Sequence, residues 1–92
     1  MGKIDIAAEL AIDNPRAREI DLRIYADALR TYHEAARNVR DNGAICSHPR
    51  TGSPIENPYL KIQAQQGAIL TKMRAIKSDR VSAMLSENHH LT

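Results

Sequence analysis

Phenylalanine and tryptophan are absent from this 92-residue chain, and tyrosine occurs only three times. Any core must therefore be aliphatic, built from Leu, Ile, Ala, Val and Met. Such residues fill helix interfaces well but give no stacking platform for unpaired bases. The lone cysteine, Cys46, excludes an internal disulfide and cannot supply a multi-thiolate metal site; it fits a reducing cytoplasm. No apolar run approaches the ~18 residues of a membrane span, and Met1–Asp13 lacks a signal-peptide layout. We therefore expect neither export nor a membrane partner. A strong charge of one sign is missing as well: thirteen basic side chains meet eleven acidic ones, for a net charge of +2. A nucleic-acid surface would have to come from the placement of charges, not from their number.

What is present is helical period. Leu22, Tyr25, Leu29, Tyr32, Ala36 and Val39 recur at alternating spacings of three and four, a seam of a/d type. Ile20, Ile24, Ala28 and Ala35 widen it toward a globular face. Asn14-Pro15 reads as an amide N-cap followed by proline at the first helical position, and Gly43 as the residue that ends the helix. A long helix is expected over residues 15–42. Asn57-Pro58 repeats the start signal, and Leu60, Ile62, Ala64, Ala68, Ile69, Leu70, Met73 and Ile76 follow at mostly helical spacing. The second long helix is expected over 58–77, folded back along the first. Gly67 inside it costs about 1 kcal/mol relative to Ala, which points to a close approach of the first helix.

Residues 43–57 make a connection much longer than the two to eight residues usual between bundle helices. Ala44-Ile45-Cys46 and Gly52-Ser53-Pro54-Ile55 can pair as a short β-hairpin around the turn His48-Pro49-Arg50-Thr51-Gly52. Pro54 keeps such a ribbon short. Short helices are expected at both ends: residues 1–13, with Ile4, Ala7, Ala8, Ala11 and Ile12 on one side, and 79–87 after a Ser78-Asp79-Arg80 cap, with Ser86–Thr92 frayed. The expected fold is thus mainly α. It is a single domain over 1–92, an antiparallel helical hairpin with a short β-hairpin between its long helices and short helices at both ends.

Catalytic patterns are few. Cys46 and His48 could share one face of a strand, but no orienting group or oxyanion site accompanies them, and Cys46 reads as a small buried hydrophobe. His33, His48, His89 and His90 have no spacing that converges on one ion. Neither a catalytic residue, a metal nor a cofactor is therefore assigned, and the chain is not expected to be an enzyme. The basic residues carry more. Arg37 and Arg40 lie near the end of the first long helix, where cations suit its dipole. Arg50 tops the ribbon, and Lys61, Lys72, Arg74, Lys77 and Arg80 run down the second helix and beyond. On a monomer these would form a solvated face with surface pairs such as Asp41–Lys61; repeated around a ring, they would share one rim or channel.

The run Asn42-Gly-Ala-Ile-Cys-Ser-His-Pro-Arg-Thr-Gly-Ser-Pro-Ile-Glu-Asn-Pro-Tyr-Leu60 resembles the middle of the small subunit of tailed-phage terminases. There a long helix rich in Tyr, Ala, Arg and Glu ends at Gly, and a short strand, a Gly-containing turn and an Asn-Pro helix start follow. Upstream, Tyr25-Ala-Asp-Ala-Leu-Arg-Thr-Tyr32 resembles the family's preceding helix. Downstream, Ile76-Lys-Ser-Asp-Arg80 is similar to its Leu-Thr-Pro-x-x-Arg segment, without the proline. The resemblance spans about Ile20 to Leu85. It implies a non-enzymatic DNA-packaging protein of the bacterial cytoplasm, a viral or prophage product. Its partners would be copies of itself in a ring, double-stranded phage DNA at the packaging start site, and the large terminase subunit that holds the ATPase and nuclease. On that reading Arg50, Lys61, Lys72, Arg74, Lys77 and Arg80 contact DNA phosphates, and Ile20, Ile24, Ile62 and Ile69 face neighbouring copies. The competing reading is a small prophage-encoded helical interaction module or regulator that never touches DNA and offers its Leu22–Val39 stripe to a partner helix.

Overall fold

A computed structural model describes residues 5–48 and 50–91, with the side chains of 87–91 excepted. Ile4, Pro49 and the side chains of His89 and His90 lie outside the described residues. The fold is mainly helical, in the order α1 (Ile6–Asp13), α2 (Glu19–Asn42), β1 (Ile45–Ser47), β2 (Pro54–Glu56), α3 (Tyr59–Lys72) and α4 (Asp79–Leu91). Helices α2 and α3 pack as an antiparallel pair with the β-ribbon at their far end, as the helical seam and the Gly43 and Asn57-Pro58 signals suggest.

The core gathers where α1, α4 and the first half of α2 meet. Ile6, Leu10, Leu22, Tyr25, Ala26, Leu29 and Val81 form it, with Leu70, Met73 and Ile76 packed on its edge. Leu10 and Val81 are fully sealed from solvent. Burying a side chain of this kind contributes roughly 1.5–3 kcal/mol, so this end supplies most of the apolar stabilisation. Farther along, small residues bring α2 and α3 close. Ala28 and Ala35 are buried on α2, and a Cβ on Gly67 would stand 3.3 Å from the Tyr32 ring. Gly67 is therefore a contact glycine, as its position in the helix predicts.

The ribbon is antiparallel, with Ile45 opposite Glu56, Cys46 opposite Ile55 and Ser47 opposite Pro54. Gly43 and Gly52 both hold positive φ, +83° and +72°. Gly43 donates its N–H to Val39 O at 2.7 Å, which closes α2. Asn57 performs the capping expected of it: its Oδ1 accepts the Tyr59 N–H at 3.0 Å. Its Nδ2 also donates to Asn38 Oδ1 at 3.0 Å and Gly43 O at 2.9 Å, and only 1% of the residue is exposed. One side chain therefore ties the start of α3 to the end of α2.

Several boundaries differ from expectation: α1 begins at Ile6 behind an Asp5 cap, not at residue 1, and each strand is shifted by one or two residues. Helix α2 begins at Glu19, not Pro15, because Asn14 is engaged elsewhere. Its Nδ2 donates to Leu10 O and to Lys77 O, and its Oδ1 accepts the Lys77 N–H at 2.7 Å. Its amide thus faces the α3–α4 connection, and α2 starts after Arg18 without a side-chain cap. Helix α3 ends at Lys72, not Lys77. The chain turns at Met73, the Lys77 N–H is claimed by Asn14, and the Ser78 hydroxyl lies 2.7 Å from the Tyr25 hydroxyl. Tertiary contacts thus break a segment that carries no helix-breaking residue. Helix α4 continues to Leu91 where fraying was expected after Ser86; no glycine or proline interrupts that stretch.

Candidate nucleic-acid interface

Charges are distributed unevenly along this frame. On and just before α2, acids and bases answer one another: Arg18 with Asp21, Arg23 with Glu19, Arg30 with Asp27, Arg40 with Asp41. Such exposed pairs contribute little stability, but they set a carboxylate beside four of the basic side chains there. Asp41 is thus engaged by its chain neighbour Arg40, not by Lys61 as the spacing suggested.

Between Gly43 and Ser78 the balance is different. Arg50, Lys61, Lys72, Arg74 and Lys77 occupy this stretch with a single carboxylate, Glu56. All five cations are exposed, and among the described residues no salt bridge engages any of them. Arg50 sits at the ribbon turn, Lys61 in the first turn of α3, and Lys72 at its last residue, with Arg74 and Lys77 in the connection to α4. The charge asymmetry between 43–78 and the rest was legible in the sequence as a nearly acid-free window.

Arg80 is placed differently from the other candidates. Its guanidinium donates to Glu9 Oε1 at 3.1 Å, Glu9 O at 2.9 Å and Asp13 Oδ2 at 3.0 Å. The hydrogen bonds to Glu9 and then Asp13 raise its pKa further above the ordinary arginine range. It clamps α4 to α1, and its positive charge is already answered.

The candidate neighbour-facing residues divide into two pairs. Ile20 is 56% exposed and Ile24 46%, whereas Ile62 and Ile69 on α3 are half-buried. Ile12 and Ile45 are exposed as well.

Nothing in the described residues assembles a reaction centre. The Cys46 thiol points to Gly43 O at 4.0 Å, while His48 Nδ1 accepts the backbone N–H groups of Arg50 and Thr51 at 3.1 and 3.4 Å. Both side chains therefore turn to their own backbone, and Cys46 is half-buried against the ribbon, not enclosed. No three His, Cys, Asp or Glu side chains among the described residues gather as a metal site. A groove of about 540 Å³ between α1 and the start of α2 is floored by Ala7, Ala8, Ala11, Ala17 and Leu22. Asp5 at its rim is occupied in capping α1 through the Ala8 N–H. No helix among the described residues is long and apolar enough to cross a membrane.

No family model, curated protein or solved structure matches this chain.

Proposed function

We propose that the protein is the small subunit of a phage-type terminase, a non-enzymatic adaptor that assembles into an oligomer, binds double-stranded viral DNA near the packaging start site and recruits the large ATPase–nuclease subunit. The observation that carries the reading is the acid-poor segment from Gly43 to Ser78, whose five exposed cations have no carboxylate partner among the described residues while those along α2 largely do. Unanswered cations release counterions from DNA on binding. The motif order from Asn42 to Leu60 supports the family reading, and it falls on the glycine cap, ribbon and Asn57 hinge of the fold.

Self-assembly is supported by shape. The radius of gyration is 15.2 Å, against about 12 Å for a compact chain of this length. The accessible surface of 6747 Å² exceeds the roughly 5,400 Å² of a compact monomer of this mass. With Ile20 and Ile24 open to solvent on α2, that excess area offers faces for neighbouring copies.

Two measurements test the proposal. Light scattering behind size exclusion should give a closed assembly of many subunits. Binding to duplex DNA should weaken with salt at a slope of about 0.9 per phosphate contact, and alanine at Arg50, Lys61, Lys72, Arg74 and Lys77 together should abolish it. A monomer or dimer without DNA affinity would support the helical interaction module instead.

A further inference from the structure

The exposed residues of α3 fall on one side of the helix. After Tyr59 they are Lys61, Ala64, Gln65, Ala68, Thr71 and Lys72. Lys61, Gln65, Ala68 and Lys72 stand at spacings of four, three and four, which on a helix of 3.6 residues per turn form one straight ridge. The helix contains no acidic residue at all. Its other face is turned to α2, where Gly67 meets Tyr32.

From this ridge we infer, granting the DNA-binding reading above, that α3 is the element that enters the major groove, and that Gln65 touches the base edges. Lys61 and Lys72 are eleven residues apart, about 16 Å along the axis at 1.5 Å per residue. The major groove is roughly 12 Å wide and admits an α-helix. Two flexible lysine stems at that separation reach phosphates on opposite lips of the groove. Between them Ala64 and Ala68 project too little to hold the helix away from the bases. Thr71 spends its hydroxyl on Gly67 O at 2.9 Å. Gln65 carries the one exposed carboxamide between the lysines, and its side chain makes no hydrogen bond among the described residues. A glutamine amide pairs in bidentate fashion with the N6 and N7 edge of adenine. The lysines position the helix and the glutamine supplies the sequence preference.

The test is a selection from a random-sequence duplex library with the full-length protein, followed by salt titrations on a selected and an unselected duplex. Lys61→Ala and Lys72→Ala should each lower affinity for both duplexes and reduce the salt slope by about one. Gln65→Ala should leave the unselected duplex unaffected and lower affinity for the selected one about tenfold. Ala68→Glu should lose binding to both with helicity and native mass unchanged. If the parent protein binds while the lysine variants keep its slope, or Gln65→Ala keeps its preference, the inference fails and DNA binding rests on the other cations. If Ala68→Glu changes the native mass, the ridge is a contact between copies and the inference fails too. If the parent protein binds no duplex in low salt, the DNA-binding reading itself is wrong.

Discussion

Where α1, α2 and α4 meet, Leu10 and Val81 are sealed among Ile6, Leu22, Tyr25 and Leu29. At the ribbon end the enclosed side chain is Asn57, held by Asn38, Gly43 and the Tyr59 N–H. One end is thus closed by apolar area and the other by a satisfied polar knot. The two respond differently to damage. Apolar burial is non-directional and tolerates adjustment, whereas a buried amide tolerates nothing that leaves its partners unmatched. This explains how a narrow arm with few large apolar residues keeps a defined end. The difference also separates tasks: the packed end fixes the helices, and the arm and the connection that leaves it carry the unanswered cations.

The comparison breaks most visibly at Leu10. Leu10→Ala should cost about 2–5 kcal/mol, a large part of the roughly 5–15 kcal/mol of a small domain, and chemical denaturation should show the whole chain losing stability. Asn57→Ala should cost less, about 1–3 kcal/mol, because Asn38, Gly43 and Tyr59 lose a partner. Amide exchange should accelerate over residues 43–60 while α1 and α4 stay protected. Uniform acceleration would show that the two ends are not independent. Gly67→Ala sharpens the middle of the comparison. The gain in helix propensity of about 1 kcal/mol opposes a Cβ 3.3 Å from the Tyr32 ring, so thermal melting should move little, whereas Gly67→Leu should separate the arm. The smallest effect is expected of Arg80→Ala. Exchange in α1 should rise while the salt slope of DNA binding stays as in the parent protein, since Glu9 and Asp13 already answer this charge. A reduced slope would return Arg80 to the DNA-contacting set.

Much of the arm was legible in the sequence because its signals are local. The a/d seam, Gly43 with its positive φ, and the Asn57-Pro58 start each act within a few residues. The packed end was less legible because its decisive contacts join residues far apart in the chain. Asn14 has the chemistry of an N-cap, yet its amide serves Lys77, sixty-three residues away. Arg80 has the chemistry of a phosphate ligand, yet Glu9 and Asp13 claim it across seventy-one and sixty-seven residues. For the same reason the end of α3 was misplaced: nothing in Met73–Ile76 forbids a helix, and only the Lys77 and Ser78 contacts draw the chain away.

The reciprocal bond between Asn14 and Lys77 makes the first helix more than an appendage. It is the latch on the joint between α3 and α4. A chain deprived of its first fourteen residues would lose Ile6 and Leu10 from the core and, in the same cut, release the elbow that aims Arg74 and Lys77. Trimming one terminus would therefore be felt at the opposite end of the sequence.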